Sequence, residues 1–359
     1  MLLVAGHDRA IGERLSVELA DVESRFAAEL ISDLTCVNDL VQHVERYRGK
    51  MLRPMLVLVS GMASAPSAAA GDEGRAAATS TPRADLNDGH RVVATVVEMV
   101  HMATLVHDDI LDDADMRRKG ATVNALTGNE AAVMLGDYLI SHAYHLCSSL
   151  GAPWVSRHIA DTTNTVCEGE LLQLANRNNW DLDEGTYFEI IRRKTASLTG
   201  ACCQLGAALH RVHESSDAVS EAMYTYGEQV GIAFQVVDDL LDLVGEEQTV
   251  GKSLGRDLAK GKLTLPLIHY LKTADAARRT SMLALVRAVG LHENGNGDRE
   301  DARVAEVRRI ILASDAIAYA RQWAGKLIER AKRALDVLPE SPAKTLLLEM
   351  ADAVLTRRS

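Results

Sequence analysis

Two short stretches of the chain carry carboxylates in the same arrangement. Asp108, Asp109 and Asp112 in "HDDILDDADMRR", and Asp238, Asp239 and Asp242 in "FQVVDDLLD", share the spacing D-D-x-x-D. On a helix, positions i and i+4 lie about 40° apart, so Asp108 stacks above Asp112 and Asp238 above Asp242, while Asp109 and Asp239 turn about 100° away from their neighbours. Stacked carboxylates on an apolar helix cost folding energy unless a cation offsets them. Hard oxygen ligands suit magnesium, which keeps waters and also takes substrate phosphate oxygens. Two such turns facing one another would hold a small magnesium cluster around a diphosphate. One cluster alone is more often a solvated helix end; two copies, each behind an apolar run, favour the metal reading. Asp113 has no evident role, and Asp115 shares the face of Asp108 only if the helix continues that far.

Residues that could grip phosphate stand elsewhere. "GKMLRP" holds Lys50 and Arg53, "RRKTASLTG" holds Lys194 and Thr195, "GKSLGRDLAKGKLTLP" holds Lys252 and Lys262, and Arg117 and Arg118 follow the first aspartate cluster. Any one of them is more often a surface solubiliser; together they supply enough donors for two diphosphates, arginine as a fork and lysine as a point charge. The formal net charge of -11 argues against nucleic acid as a partner, since that needs a basic excess. The five cysteines form neither a disulfide framework nor a zinc spacing, which fits a reduced, cytoplasmic setting. The start "MLLVAGHDRAIGERL" lacks the basic opening of a signal peptide, and the most apolar window, "VVATVVEMVHMATLV", is too short to cross a bilayer.

The elements that must position these residues read as helices, so the expected class is all-α, a single large helical bundle around a central cavity, one domain over residues 1–359. No proline lies between Pro153 and Pro266, as long helices require. "AAVMLGDYLISHAYHL" and the stretch from Val307 to Leu335 place apolar residues three and four apart, and no segment alternates with period two for long. Ser64 to His90 and Gly290 to Asp301 are small, polar and glycine-bearing, and are expected to be mobile loops.

In sequence order, "GKMLRP", "HDDILDDADMRR", "FQVVDDLLD" and "GKSLGRDLAKGKLTLP" resemble the motifs of the trans-type polyprenyl diphosphate synthases, the prenyl-elongating enzymes related to farnesyl diphosphate synthase. The likeness runs from about Gly49 to Pro266. It implies the isoprenoid synthase fold, magnesium, a homodimer, and condensation of isopentenyl diphosphate with an allylic diphosphate. It implies that Gly49, Lys50, Arg53, His101 and Arg118 bind isopentenyl diphosphate. Arg117, Lys194, Thr195, Gln235, Lys252 and Lys262 would grip the allylic diphosphate. Asp108, Asp112 and Asp238 would be direct metal ligands, with Asp109, Asp239 and Asp242 supporting them or acting through water. A lone histidine in an apolar stretch is usually a core residue, but His101 lies two turns before Asp108 on the same face.

The reaction implied is ionisation of the allylic C–O bond, attack by the isopentenyl double bond, and loss of a proton, within walls that exclude water. The growing tail would pass Ala103 and Thr104, a turn before Asp108. Short-chain members commonly place bulky aromatics there, so small residues imply a long-chain product, hexaprenyl to decaprenyl, destined for membrane-associated quinone or lipid pathways. Leu139, Ile140 or Ala143 would supply the far wall. Short- or medium-chain synthesis is the nearest alternative. An all-α metal phosphohydrolase explains only the His107-Asp108 dyad, a terpene cyclase expects a different second motif, and a non-catalytic partner subunit would not need intact aspartates.

Overall fold

The computed structural model describes residues 9–45, 49–65, 86–117, 120–210, 217–245, 255–289 and 297–357, with side chains from 302 onward in the last span. Arg118 and Lys252, and most of the expected loop over 64–90, lie outside the described residues. Helices account for nearly all of what is described: α1 Arg9–Glu29, α2 Thr35–Glu45, α3 Leu52–Ser64, α4 Asp88–Leu111, α5 Val123–Thr127, α6 Asn129–Ser148, α7 Pro153–Ala175, α8 Glu184–Ile191, α9 Ser197–Ala208 and α10 Ala218–Val244. There follow α11 Arg256–Ala259, α12 Leu265–Thr273, α13 Ala276–Ala288, α14 Gly297–Leu312, α15 Ala316–Ala334 and α16 Pro342–Leu355. Among the described residues the one departure from all-α is a two-residue ladder, Met116–Arg117 against Gly120–Ala121. Among the described residues no helix is long and apolar enough to cross a membrane.

The chain forms two compact units. One comprises Met1–Thr163, Thr199–Gly227 and Ala334–Glu349; the other comprises Asn164–Leu198, Glu228–Arg333 and Met350–Ser359. In the first, α4 is the core. From Val92 to Val100 every residue is buried, Thr95 and Glu98 among them, and the helix packs against α1, α3 and α6. An ion pair fastens α1 to α4. The Arg91 guanidinium meets both oxygens of buried Glu18, at 2.6 and 2.9 Å, the forked geometry that a desolvated carboxylate needs.

Helix α14 begins at Gly297, so the last five residues of the loop expected over Gly290 to Asp301 are helical.

The start of α4 rests on a buried histidine. Asn87 caps the helix by accepting from the His90 backbone N–H, and the Asn87 backbone N–H donates to His90 Nδ1 at 3.1 Å. Nδ1 also lies 2.8 Å from Asn87 Oδ1, and Nε2 lies 3.0 Å from the Gly206 carbonyl, so both ring nitrogens are engaged within the protein. Burial, and then the neighbouring His210, lower the His90 pKa to about 3. Because the unfolded imidazole takes up a proton near pH 6.5 and the folded one does not, this contribution to stability is complete above that pH and is lost as pH falls toward 3. We predict a loss of about 2 kcal/mol between pH 6.5 and 5 from this residue alone. Thermal unfolding of His90→Gln across that window should show a visibly shallower pH slope than the parent protein; equal slopes would assign the acid sensitivity elsewhere.

Candidate active site

In the first unit α4 ends at Leu111, but the Asp112 N–H still donates to the Asp108 carbonyl at 2.9 Å. The helical register thus reaches Asp112, and Asp108 and Asp112 keep their stacked relation. Asp113, at φ +46°, then reverses the chain into the short hairpin, so Asp115 leaves the face of Asp108. Asp109 is buried, 2% exposed, and both of its oxygens accept from Arg117 Nε at 2.9 Å. Arg117 was expected on substrate phosphate in preference to a neighbouring aspartate; in this structure the hairpin delivers it to Asp109. A buried carboxylate without a counter-charge would cost several kcal/mol, roughly, and the guanidinium removes that cost.

The "GKMLRP" residues stand at the start of α3. Gly49 and Lys50 are exposed, and buried Met51 occupies the left-handed region at φ +51°, a strain that non-glycine residues carry mostly at functional sites. Arg53 is half-buried. Its Nε is buried without a hydrogen-bond partner among the described residues, and burial lowers its pKa while the nearby, more deeply buried Glu98 opposes that shift. A guanidinium in such a place is a ready donor for an anion. His101, half-buried, follows Glu98 by three residues on α4.

Just beyond, Ala103 is fully buried, and the Thr104 hydroxyl donates to the His101 carbonyl at 2.7 Å, which leaves a small, internally satisfied side chain. Leu139 and Ala143 of α6 are buried and Ile140 is half-buried. The α4–α6 approach is tight at Gly136, where an added Cβ would stand 2.1 Å from the His107 ring. His107 makes its contact with the Val133 carbonyl at 3.2 Å, as a packing residue would.

In the second unit, the "RRKTA" run is a π-helical turn, Arg192–Ala196, between α8 and α9. Such a bulge inserts one residue into the helix and is frequent at functional sites. Nothing in the local residue pattern signals it. Gly169 of α7 makes it possible: a Cβ there would lie 2.4 Å from the Lys194 backbone nitrogen. Lys194 is ion-paired with Glu170. The Thr195 hydroxyl donates to Gln235 Oε1 at 3.2 Å, Gln235 Nε2 donates to Asp239 Oδ1 at 2.8 Å, and the Tyr187 hydroxyl donates to Asp239 Oδ2 at 2.6 Å.

Asp238 is the open member of its motif, with a side chain 53% exposed. Arg357 was missed by the sequence reading; its Nη2 stands 3.6 Å from Asp238 and its guanidinium lies over Phe234, 4.0 Å from the ring centre. An arginine pair at 357–358 in an acidic chain was the available signal. The two oxygens of Asp242 face the backbone N–H groups of Arg256 and Asp257, each at 3.3 Å, and so hold the Gly255 turn that leads to Lys262. Burial is the first cause of raised pKa values at Asp239, Asp242 and Asp257, the last to about 6, and carboxylate neighbours add to each. Lys262 and Lys260 oppose the shift at Asp257, and Arg256 opposes the one at Asp242, without cancelling it. Among the described residues no three acidic, imidazole or thiol groups converge into a complete cation site.

Because Gly169 lies against the π turn, Gly169→Ala should displace Lys194 and Thr195 and lower turnover about tenfold or more while the helical circular dichroism signal is retained. Unchanged turnover would show that the turn does not set the site.

The polyprenyl synthetase family profile matches residues 35–296. Octaprenyl diphosphate synthase of Escherichia coli is 32% identical over 97% of this chain and 98% of its own length. A decaprenyl diphosphate synthase structure from Rhodobacter capsulatus superposes with a TM-score of 0.81 at 29% identity, covering 98% of this chain and 99% of that one. A polyprenyl synthase from Caulobacter crescentus, complexed with calcium and isoprenyl diphosphate, gives 0.81 at 30% identity, covering 97% and 98%. The all-α helical architecture, the two aspartate motifs and these matches agree: the chain belongs to the polyprenyl synthetase family.

Proposed function

We propose that the protein condenses isopentenyl diphosphate with an allylic diphosphate, with magnesium, to make a long-chain all-trans polyprenyl diphosphate of hexaprenyl to decaprenyl length. It acts as a single-domain cytoplasmic homodimer, and its product enters membrane-associated quinone or lipid pathways. The observation that carries the reading is common to both motifs: the second aspartate is buried and bonded inside the protein, 2% exposed at Asp109 and 5% at Asp239, while the first stands more open. Asp108, Asp112 and Asp238 would hold magnesium, whose charge, shared with the diphosphate, weakens the allylic C–O bond.

The remaining work falls to the chain. Lys194, Thr195, Gln235 and Lys262 hold the allylic diphosphate, with Arg117 and Lys252 contributing; Gly49, Lys50, Arg53, His101 and Arg118 hold isopentenyl diphosphate. The C–O bond breaks with both electrons on the departing diphosphate, the isopentenyl double bond forms the new C–C bond, and the proton then lost passes to a diphosphate oxygen. The apolar residues of α4 keep water from the allylic cation. The small side chains of Ala103 and Thr104 support the long product, because they leave room for a tail along α4.

Incubation with farnesyl diphosphate, isopentenyl diphosphate and magnesium should yield elongated product; release of phosphate without elongation would overturn the reading. Asp108→Ala should lower turnover on the order of a thousandfold while isopentenyl diphosphate binding by calorimetry changes only a few-fold. Ala103→Tyr should shorten the product, seen by chromatography of the dephosphorylated lipids; an unchanged length would remove the tail from this part of α4.

A further inference from the structure

The hydrogen bonds of the second unit form a chain that begins at a residue with no role in the reaction described above. We propose that Tyr187 is a positioning residue for the allylic diphosphate: its phenol fixes Asp239, Asp239 fixes the amide of Gln235, and Gln235 fixes the hydroxyl of Thr195. The proposal rests on the reading that Gln235 and Thr195 contact that substrate.

Each link settles an orientation that would otherwise be free. A glutamine amide can turn over with little change in shape, exchanging donor for acceptor. Here the acceptor at 2.8 Å is a carboxylate, so the NH2 group must face Asp239, and Oε1 is thereby turned toward Thr195. Thr195 must then donate, which fixes its rotor. Asp239 can impose this only if its own plane is fixed, and the short bond from Tyr187, 2.6 Å, fixes it by occupying the other oxygen. Tyr187 and Asp239 are 3% and 5% exposed, so water cannot replace the phenol without opening the structure. The chain ends at Thr195, adjacent to Lys194 in the π turn.

A buried tyrosine need not be built this way. Tyr226 is fully buried and donates to the Leu347 backbone carbonyl at 2.7 Å, a contact that satisfies the phenol and orients no side chain. Tyr187 spends its proton on a carboxylate that in turn orients an amide. The same surroundings hold the phenol protonated: burial first, then the Asp239 charge, raises its pKa well above the ordinary tyrosine value.

The test is steady-state kinetics with farnesyl diphosphate, isopentenyl diphosphate and magnesium. Tyr187→Phe should raise the KM for farnesyl diphosphate roughly five- to tenfold and leave the KM for isopentenyl diphosphate within about twofold. Tyr226→Phe should lower the melting temperature without that split. In a Thr195→Val background, Tyr187→Phe should add less than about a twofold further change, because the end of the chain is already gone. Equal effects of Tyr187→Phe on both substrates, or independent multiplication of the two substitutions, would overturn the relay while leaving the site intact. An unchanged farnesyl diphosphate KM in Thr195→Val would instead overturn the assignment of Thr195, and the proposal with it. If Tyr187→Phe does not fold, Asp239→Asn, which frees the Gln235 amide to turn over, must show the same one-sided loss.

Discussion

A carboxylate buried on an apolar helix has to be met by donors or by positive charge, and this constraint arranges much of the protein around its aspartate motifs. Asp109 is met by the Arg117 fork, which requires the hairpin after α4 to fold back at Asp113. Asp239 is met by Tyr187 and Gln235. Asp242 is met by backbone N–H groups, which requires the chain to return at Gly255. In each case the loop or helix that satisfies the acid also carries or orients a residue of the proposed site. The apparent excess of acid is thus divided between members that build the scaffold and members that face outward.

The helices and their carboxylate spacing were legible in the sequence because both follow from the 3.6-residue period. The stacking of Asp108 on Asp112 needed only that the register extend past Leu111, and it does. What sequence could not supply was long-range pairing. Nothing local says that Arg117 will turn back to Asp109, or that Tyr187 will reach Asp239 across 52 residues. The π turn was hidden for a related reason: "RRKTA" has no unusual helix propensity, and its cause, the close approach of Gly169, lies about two dozen residues upstream on another helix. Arg357 stood outside every motif and could be found only by its contact with Asp238.

Charge balance gives the arrangement its chemical sense. Several cations near the motifs are already engaged within the protein: Arg117 with Asp109, Lys194 with Glu170, and Arg357 beside Asp238. In the second unit the carboxylates Asp239, Asp242 and Asp257 hold their protons more tightly than ordinary carboxylates, the response of acids that are buried together with too little positive charge. A diphosphate approaching such a surface alone would add like charge to like charge. Arriving with divalent metal, it brings the missing positive charge, and lysines or arginines then exchange a carboxylate partner for a phosphate at little net cost. The metal requirement proposed for the reaction follows from this balance as much as from the ionisation step: the same acids that would repel the bare substrate favour the complex of substrate and metal. If Gln235 and Thr195 act on the phosphate as proposed, they must be held in advance, since neutral groups have no long-range attraction with which to find it.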